Sequence, residues 1–446
     1  MQSDATDLAA AIRHGKLSAA EAMQASLEAA ARQAALGALA YLDAAMGLAS
    51  ADDRDRERRS APDRFSIRPF AGVPSLAKDL GGPFAGLPVT AGSRLFERKG
   101  GEADSDLAAR FRDAGFCLFG LTTSPEFGLS LASEPAIGPL CRNPLDPART
   151  AGGSIRVPAA CCGLVGMKPT RGAIPGGPSF GNHLAGIASE LAVCRSVRDT
   201  ALIFDGLAGD SRGPFPDPSS VDSNDGRLRA GLLVDTGPVY PTEGDRLAAV
   251  EDAARALEND GHLIVPLSWA EFEGSVTSSG RAFADIVSAN LAALIEAAAL
   301  DESRAEPLTQ AFAARGRGLS VTSLWNTLNE AVLVSHKLWT LFDKVDCILT
   351  PMLSSAPLAI GSFPSDHGDT DLHLERMTAF APLACLGNIS GFPALTLPFG
   401  QDEHALPLPV QIMAPMGHEP RLLSLAARLE TEGRWRHRFP VAGLPS

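Results

Sequence analysis

Residues 152–160 read GGSIRVPAA, and this segment indicates both the fold and the chemistry of the chain. Two glycines ahead of a serine let the backbone approach a substrate carbonyl closely and point successive N–H groups into one concavity. Ser154 would then lie beside donors that can stabilise an oxyanion, as acyl transfer requires. The same three residues also occur in flexible loops. The segment therefore indicates an active site only in combination with the rest of the sequence.

A general base for Ser154 is offered by Lys78, near the end of the short apolar run in residues 70–79. This run predicts a strand that carries the lysine into the interior, where desolvation disfavours the ammonium and lowers its pKa. The alternative is a surface lysine paired with Asp79. The nine histidines offer no convincing base, and the chain has no GxSxG elbow to indicate a Ser-His-Asp triad.

The composition is that of a globular protein with a large core, since 45% of its 446 residues are hydrophobic and 20% are charged. A net charge of −13 and a pI near 5.2 disfavour nucleic acid as a partner, because phosphate binding needs clustered Lys and Arg. The first residues lack the order of a secretory signal, and no apolar run approaches the roughly 20 residues of a membrane span. We therefore expect a cytoplasmic protein without nucleic-acid or membrane partners.

The seven cysteines are scattered, with neither CxxC spacing nor paired histidines nearby. This pattern indicates a reducing compartment and argues against a zinc site or a disulfide framework. Cys161 and Cys162 lie among alanine and glycine and are interpreted as small buried residues.

Alternating helical and strand-like segments predict an α/β fold. Residues 7–36 have helical spacing with a capping box at Ser18, so the N-terminus is predicted to be a helical hairpin. A helix over 106–114 and a buried strand over 116–120 follow, and residues 227–266 repeat the strand and helix pattern.

The last third of the chain continues this pattern. Residues 280–345 are mainly helical, 347–351 form a buried strand, and 420–430 form an amphipathic helix. Dense proline and glycine over 209–218 predict a surface loop rather than a domain boundary.

Ordered motifs along most of the chain resemble the amidase signature family. Residues 70–79 are similar to its FxGVPxxxKD segment, and residues 152–175 to its GGSIRxPAAxCGLVGxKPTxGRxP segment. Further segments resemble other motifs of the family in the same order: residues 86–93, 122–128, 138–149, 388–395 and 408–412. On these motifs the chain is identified as a member of that family.

The resemblance implies a single domain over residues 1–446, built on a mixed central β-sheet covered on both faces by α-helices. It also implies hydrolysis of a small-molecule amide by a Ser-Ser-Lys triad. In such a triad a lysine acts through a bridging serine, held with a cis peptide bond, on a nucleophilic serine that forms an acyl-enzyme. By motif position Lys78 is the general base and Ser154 the nucleophile, and the backbone N–H groups of Ala151, Gly152, Gly153 and Ser154 form the oxyanion hole. No metal and no organic cofactor are implied.

The sequence departs from the family at residues 149–154. The family carries its bridging serine in RTxGGSSGGS, and a helix and a strand separate this motif from TDxGGSIRxPA, which carries the nucleophile. Here the first motif runs directly into the second, and a piece on the order of 25 residues is missing. Because the match downstream of Ser154 is longer, Ser154 is interpreted as the nucleophile and the bridging serine as absent.

The missing piece has two structural consequences. Loss of a helix and a strand predicts exposed core surface and unpaired strand edges. Arg156 also lacks the aspartate that precedes GGS in the family, so it needs another acceptor if it is buried.

Two hypotheses of function stay open. One is an amidase in which Lys78 acts on Ser154 directly or through water. The other is a catalytically impaired or inactive amidase-like protein that serves as a binding module or as a subunit of a complex.

The sequence does not specify the amide. Phe127, Leu129 and Phe180 are the candidate substrate-binding residues, with Trp325 as a further apolar candidate, and packing of each in the core or on the surface is the alternative. The oligomeric state is open, with a homodimer as the first hypothesis.

Overall fold

The structure is a computed structural model, and it describes residues 2–176, 184–209 and 226–445. Within these residues the helices α1 to α14 are Ala5–Arg13, Ala19–Arg32, Ala44–Ser60, Pro62–Ser66, Asp106–Asp113, Arg156–Cys162, Val197–Leu207, Gly244–Asn259, Glu273–Ala297, Pro307–Gly318, Val321–Phe342, Thr370–Phe380, Ala384–Ser390 and Glu419–Glu430. The strands β1 to β10 are Leu39–Leu42, Pro74–Lys78, Cys117–Thr122, Val165–Lys168, Val193–Cys194, Arg229–Leu232, Leu263–Pro266, Cys347–Pro351, Ala394–Gln401 and Pro407–Met413.

In the described part of the chain the strands form two sheets, and both mix parallel and antiparallel pairs. The larger sheet has the order β5-β4-β9-β10-β8-β6-β7, and the smaller has the order β1-β3-β2. In the larger sheet β8, β6 and β7 are parallel neighbours, whereas β10 is antiparallel to both β8 and β9. The predicted α/β class with a mixed sheet is confirmed, although the strands are divided between two sheets.

Strand β8 shows why helices cover both faces of the larger sheet. Cys347 and Leu349 lie in one hydrophobic core together with residues of α8 and α14. Ile348, which points to the opposite face, lies in a second core together with residues of α9 and α11. Every residue of the strand is buried, as the continuous apolar run over 347–351 predicted.

The predicted N-terminal helices are present as α1 and α2, and each begins with a capping box. Ser18 caps α2 as predicted, with its hydroxyl accepting from the backbone N–H of Glu21. Asp55 of α3 also accepts from the N–H of Ala19 at 3.0 Å. Helix α2 packs on α3, whereas α1 packs on α7, so each helix is attached to the body of the protein separately.

The strand that carries Lys78, β2, lies at an edge of the smaller sheet. It pairs in parallel with β3, and Lys78 lies opposite Thr122. An edge strand has one side without ladder partners, but every open sheet has two such edges, so the unpaired edges expected from the shortened sequence stay a prediction. The predicted loop at 209–218 lies outside the described residues except for Gly209.

Asp199 of α7 anchors α1, and its replacement is expected to loosen that helix. Its buried carboxylate accepts from Ala5 N and Thr6 N at 2.9 Å each and from Thr6 Oγ1 at 2.6 Å. Asp199→Asn should cost about 1–3 kcal/mol, because an amide cannot accept all three bonds. We expect faster amide hydrogen exchange across α1 and a lower Tm, whereas Asp205→Asn, at an exposed position of the same helix, should change neither. Equal exchange in both variants would contradict the anchor.

Candidate active site

The end of β2 is fixed by the residue that follows Lys78. Buried Asp79 accepts from Thr90 N at 2.6 Å and from Thr90 Oγ1 at 2.7 Å. Its backbone carbonyl accepts from Ser124 Oγ at 2.8 Å, and Arg98 lies 3.5 Å from the carboxylate. The carboxylate is therefore engaged by Thr90 and Arg98 inside the protein rather than by a surface pair with Lys78.

The environment of Lys78 favours the neutral amine. The residue is half-buried, and burial lowers its pKa to about 8, while the negative charge of Glu190 opposes this shift and raises the pKa. A lysine with this pKa is partly neutral near physiological pH, as a general base must be.

Glu190 is a functional candidate that the sequence analysis missed, because no motif connects it with Lys78. A Cβ added at Gly81, in the turn that follows β2, would lie 2.7 Å from Glu190 Oε1. The residue also lines a cleft together with Gly172 and Ile174. Glu190 thus places a carboxylate next to the turn that follows the lysine strand.

The two glycines before Ser154 are required by close backbone contacts. Gly152 has φ +97°, and a Cβ there would lie 2.7 Å from the backbone N and Cα of Pro158 in α6. A Cβ at Gly153 would lie 2.8 Å from the carbonyl oxygen of Ser130. Side chains at either position would force the loop apart. Ser154 itself is exposed and lies two residues before α6 begins at Arg156.

One of the four predicted oxyanion-hole donors already has an acceptor. The N–H of Gly152 points to Thr150 Oγ1 across 3.3 Å, and the carbonyl of Gly152 accepts from Ser133 Oγ at 2.8 Å. A bond of 3.3 Å is long and is easily exchanged for a better acceptor. The assignment of Ala151, Gly152, Gly153 and Ser154 as the oxyanion hole stays a prediction.

Residues 124–133 contact both the end of the lysine strand and the loop that carries Ser154. At its start Ser124 bonds Asp79, as described above, and a Cβ at Gly128 would lie 2.9 Å from Leu80 Cδ2. At its end the carbonyl of Ser130 lies against Gly153, and Ser133 bonds the carbonyl of Gly152. Residues 124–133 therefore connect the turn that follows Lys78 with the glycines that precede Ser154.

Glu126 anchors residues 124–133 through its buried side chain. Its buried carboxylate accepts from Ser93 Oγ at 2.5 Å, from Glu306 N at 2.9 Å and from Thr309 Oγ1. Helix α10 begins at Pro307, so Glu126 ties the segment to the start of that helix. A carboxylate with three donors holds its surroundings rigidly.

Arg156 is buried and satisfied by neutral acceptors. It donates to Gln411 Oε1 at 2.7 Å, to Asn388 Oδ1 at 2.7 Å and to Ala384 O at 2.8 Å. Burial lowers its pKa to about 10. Gln411 and Asn388 belong to the two C-terminal motifs of the sequence analysis, which thus supply acceptors for the buried Arg156.

The predicted substrate-binding residues lie in different settings. Phe127 is half-buried with φ +50°, and its ring lies edge-on to Phe96 at 5.9 Å between centroids. Leu129 is buried and, with Phe363, borders a cavity that also reaches Ser130. Phe180 lies outside the described residues.

The further apolar candidate, Trp325, lies on α11 with 64% of its surface exposed. Three further features concern function. None of the described residues form a group of His, Cys, Asp and Glu that could hold a metal ion. In the same part of the chain, no helix combines the length and the apolar character that crossing a membrane requires. The seven cysteines have free thiols.

Comparisons with known proteins point to one family. The sequence model described as Amidase matches residues 21–154 and 151–423. A 6-aminohexanoate-cyclic-dimer hydrolase from Paenarthrobacter ureafaciens is 30% identical over 442 aligned positions, and the match covers 87% of this chain and 89% of the relative. A solved 6-aminohexanoate cyclic dimer hydrolase in complex with its substrate matches with a TM-score of 0.85 and 27% identity, over 98% of both chains. A bacterial aryl acylamidase of the amidase signature family matches in fold, with a TM-score of 0.84 and 21% identity over 100% of this chain and 99% of its own.

The two stretches that match the family model share residues 151–154. The same four residues therefore end the first match and begin the second. This overlap agrees with the interpretation that a first GGS motif and a second GGS motif are fused at Ser154.

Alanine at Gly152 tests the close packing of the serine loop. Gly152→Ala should cost about 1–2 kcal/mol for the left-handed backbone and about 1–3 kcal/mol more for the contact with Pro158. Gly417→Ala is the matched control, because Gly417 has φ +80° and open space around its Cα. We expect the Gly152 variant to have the lower Tm and to react more slowly at Ser154 with a serine-directed probe. Equal Tm values would contradict the packing argument.

Proposed function

This chain belongs to the amidase signature family and is an amidase-family hydrolase, and from that premise we propose that it hydrolyses a carboxylic amide through an acyl-enzyme on Ser154, with Lys78 as the general base. The observation that carries the proposal is the shared segment 124–133, which holds both the lysine strand and the serine loop. The lowered pKa of Lys78 supports the same roles.

The reaction follows from these roles. The neutral amine of Lys78 takes the proton of Ser154 Oγ, directly or through one water, while Oγ bonds to the amide carbon. Backbone N–H groups of residues 151–154 stabilise the oxyanion. The C–N bond then breaks, and the lysine ammonium returns its proton to the leaving amine. Water hydrolyses the acyl-enzyme by the same proton transfers, which releases the acid and restores Ser154.

The substrate is proposed to be a small carboxylic amide. According to their names, the relatives reported above act on the cyclic dimer of 6-aminohexanoate or on aryl acylamides. Phe127, which is half-buried, and the neighbouring Leu129 are proposed to contact the apolar part of such an amide. A cytoplasmic location is proposed from the free thiols, which suit a reducing compartment.

A second candidate function is binding without turnover. It is favoured by the overlap of the two family matches at residues 151–154, because one serine cannot serve as both proton relay and nucleophile. In that case the site would still bind an amide or an acid but would not cleave it.

Turnover of a panel of small amides separates the two candidates, and the panel includes an aryl acylamide and the 6-aminohexanoate cyclic dimer. Ser154→Ala should lower kcat/KM by at least about 10³-fold, and Lys78→Met by about 10²–10⁴-fold. Ser303→Ala and Lys99→Met are the controls, because both residues are exposed, and they should keep wild-type rates. A folded wild-type protein without turnover on any of these amides would contradict the proposal and favour binding.

The pH dependence tests Lys78 separately. Because the neutral amine is the base, kcat/KM should rise with pH through a midpoint of about 8. The carboxylate of Glu190 raises the pKa of Lys78, so Glu190→Gln should move this midpoint to lower pH. Glu258→Gln, at an exposed position of α8, should leave it in place. An unchanged or higher midpoint in Glu190→Gln would contradict the pairing of Glu190 with Lys78.

A further inference from the structure

Helix α11 has two apolar faces. One face packs inward, and its buried residues recur at helical spacing: Thr327, Ala331, Val334, Leu338 and Leu341. The opposite face is exposed, with Trp325 at 64%, Val332 at 65% and Trp339 at 42%. Each of these three residues lies two positions from an inward residue, about 200° around the helix. We call this exposed surface the α11 face, which consists of Val321, Trp325, Val332, Leu333 and Trp339.

The α11 face carries little charge. The ionised side chains of the helix are Glu330 and Lys337, and the exposed polar residues Asn329 and His336 lie between Val332 and Leu333 around the helix axis. Glu330 accepts from Ser278 Oγ and from Arg281, both of α9, at 2.6 Å each. A helix that is apolar on both faces is normally covered on both faces, and a contiguous exposed apolar patch marks a contact surface.

We propose that the α11 face joins two copies of this chain across a twofold axis that passes Val332. A twofold contact must be self-complementary, so that residue i meets residue j and residue j meets residue i. Trp325, Val332 and Trp339 are evenly spaced by seven residues, about 10.5 Å along the helix for each step. When two such helices cross antiparallel, Val332 meets itself and each Trp325 meets Trp339 of the other copy.

The size and charge of the patch suit this occupant. The exposed fractions of the five side chains correspond to about 600 Å² of apolar surface, close to the roughly 800 Å² per partner of a standard interface. Tryptophan is enriched among the residues that dominate binding energy. Each copy has a net charge of −13, so a nearly uncharged face is where two copies can approach with little repulsion.

Analytical ultracentrifugation of the full chain tests the interface without relying on turnover. The wild type should sediment as a dimer, and Val332→Glu should sediment at half that mass, because two glutamates would meet at the axis. The matched control is Val239→Glu, which adds the same charge at a valine that is 64% exposed and should stay dimeric. Circular dichroism and Tm should show that both variants are folded.

A charge pair distinguishes this twofold contact from any other association. Val332→Lys should also be monomeric alone, and mixing it with Val332→Glu should restore a dimer, since opposite charges then meet at the axis. The proposal is overturned by a monomeric wild type, by a Val332→Glu variant that stays dimeric, or by a mixture that stays monomeric. A monomer that binds phosphatidylcholine vesicles through this face would likewise overturn it and assign the face to a lipid surface.

Discussion

The close backbone contacts at Gly152 and Gly153 are the constraint on which the site depends. Pro158 of α6 lies against the first glycine and the carbonyl of Ser130 against the second, so the loop that carries Ser154 has no room for a Cβ at either position. Residues 124–133 link these contacts to the end of the lysine strand, because Ser124 bonds Asp79 and Ser133 bonds Gly152. The spacing of the serine loop and the lysine strand is thus set by the backbone contacts of the two glycines together with the hydroxyl hydrogen bonds of Ser124 and Ser133.

The free-energy cost of burying a charged side chain is the second constraint, and Arg156 and Lys78 meet it in different ways. Arg156 keeps its charge, because three neutral oxygens accept from it. Lys78 instead loses part of its charge, since burial outweighs the opposing influence of Glu190 on its pKa. Arg156 is therefore a fixed cation, whereas Lys78 is partly neutral near physiological pH and can act as a base.

Much of this arrangement could be predicted from the sequence, for physical reasons that differ between elements. The strand over 347–351 was predicted with its bounds because a buried strand is a continuous apolar run, and the capping box at Ser18 fixed the start of α2. The hairpin of β9 and β10 was not predicted, because Pro398, Pro407 and Pro409 argue against strands in a sequence. Glu190 and the acceptors of Arg156 were missed because they are distant in the chain and only folding brings them together. Phe180 lies outside the described residues.

The central claim is that one serine, Ser154, carries the covalent chemistry without a bridging serine. Peptide mapping by tandem mass spectrometry, after treatment of the folded protein with a fluorophosphonate, tests this claim most directly. The account predicts a single adduct on Ser154 in the wild type and its loss in Lys78→Met. A folded protein that stays unmodified at Ser154, or an adduct on Ser130 or Ser133 instead, would contradict it.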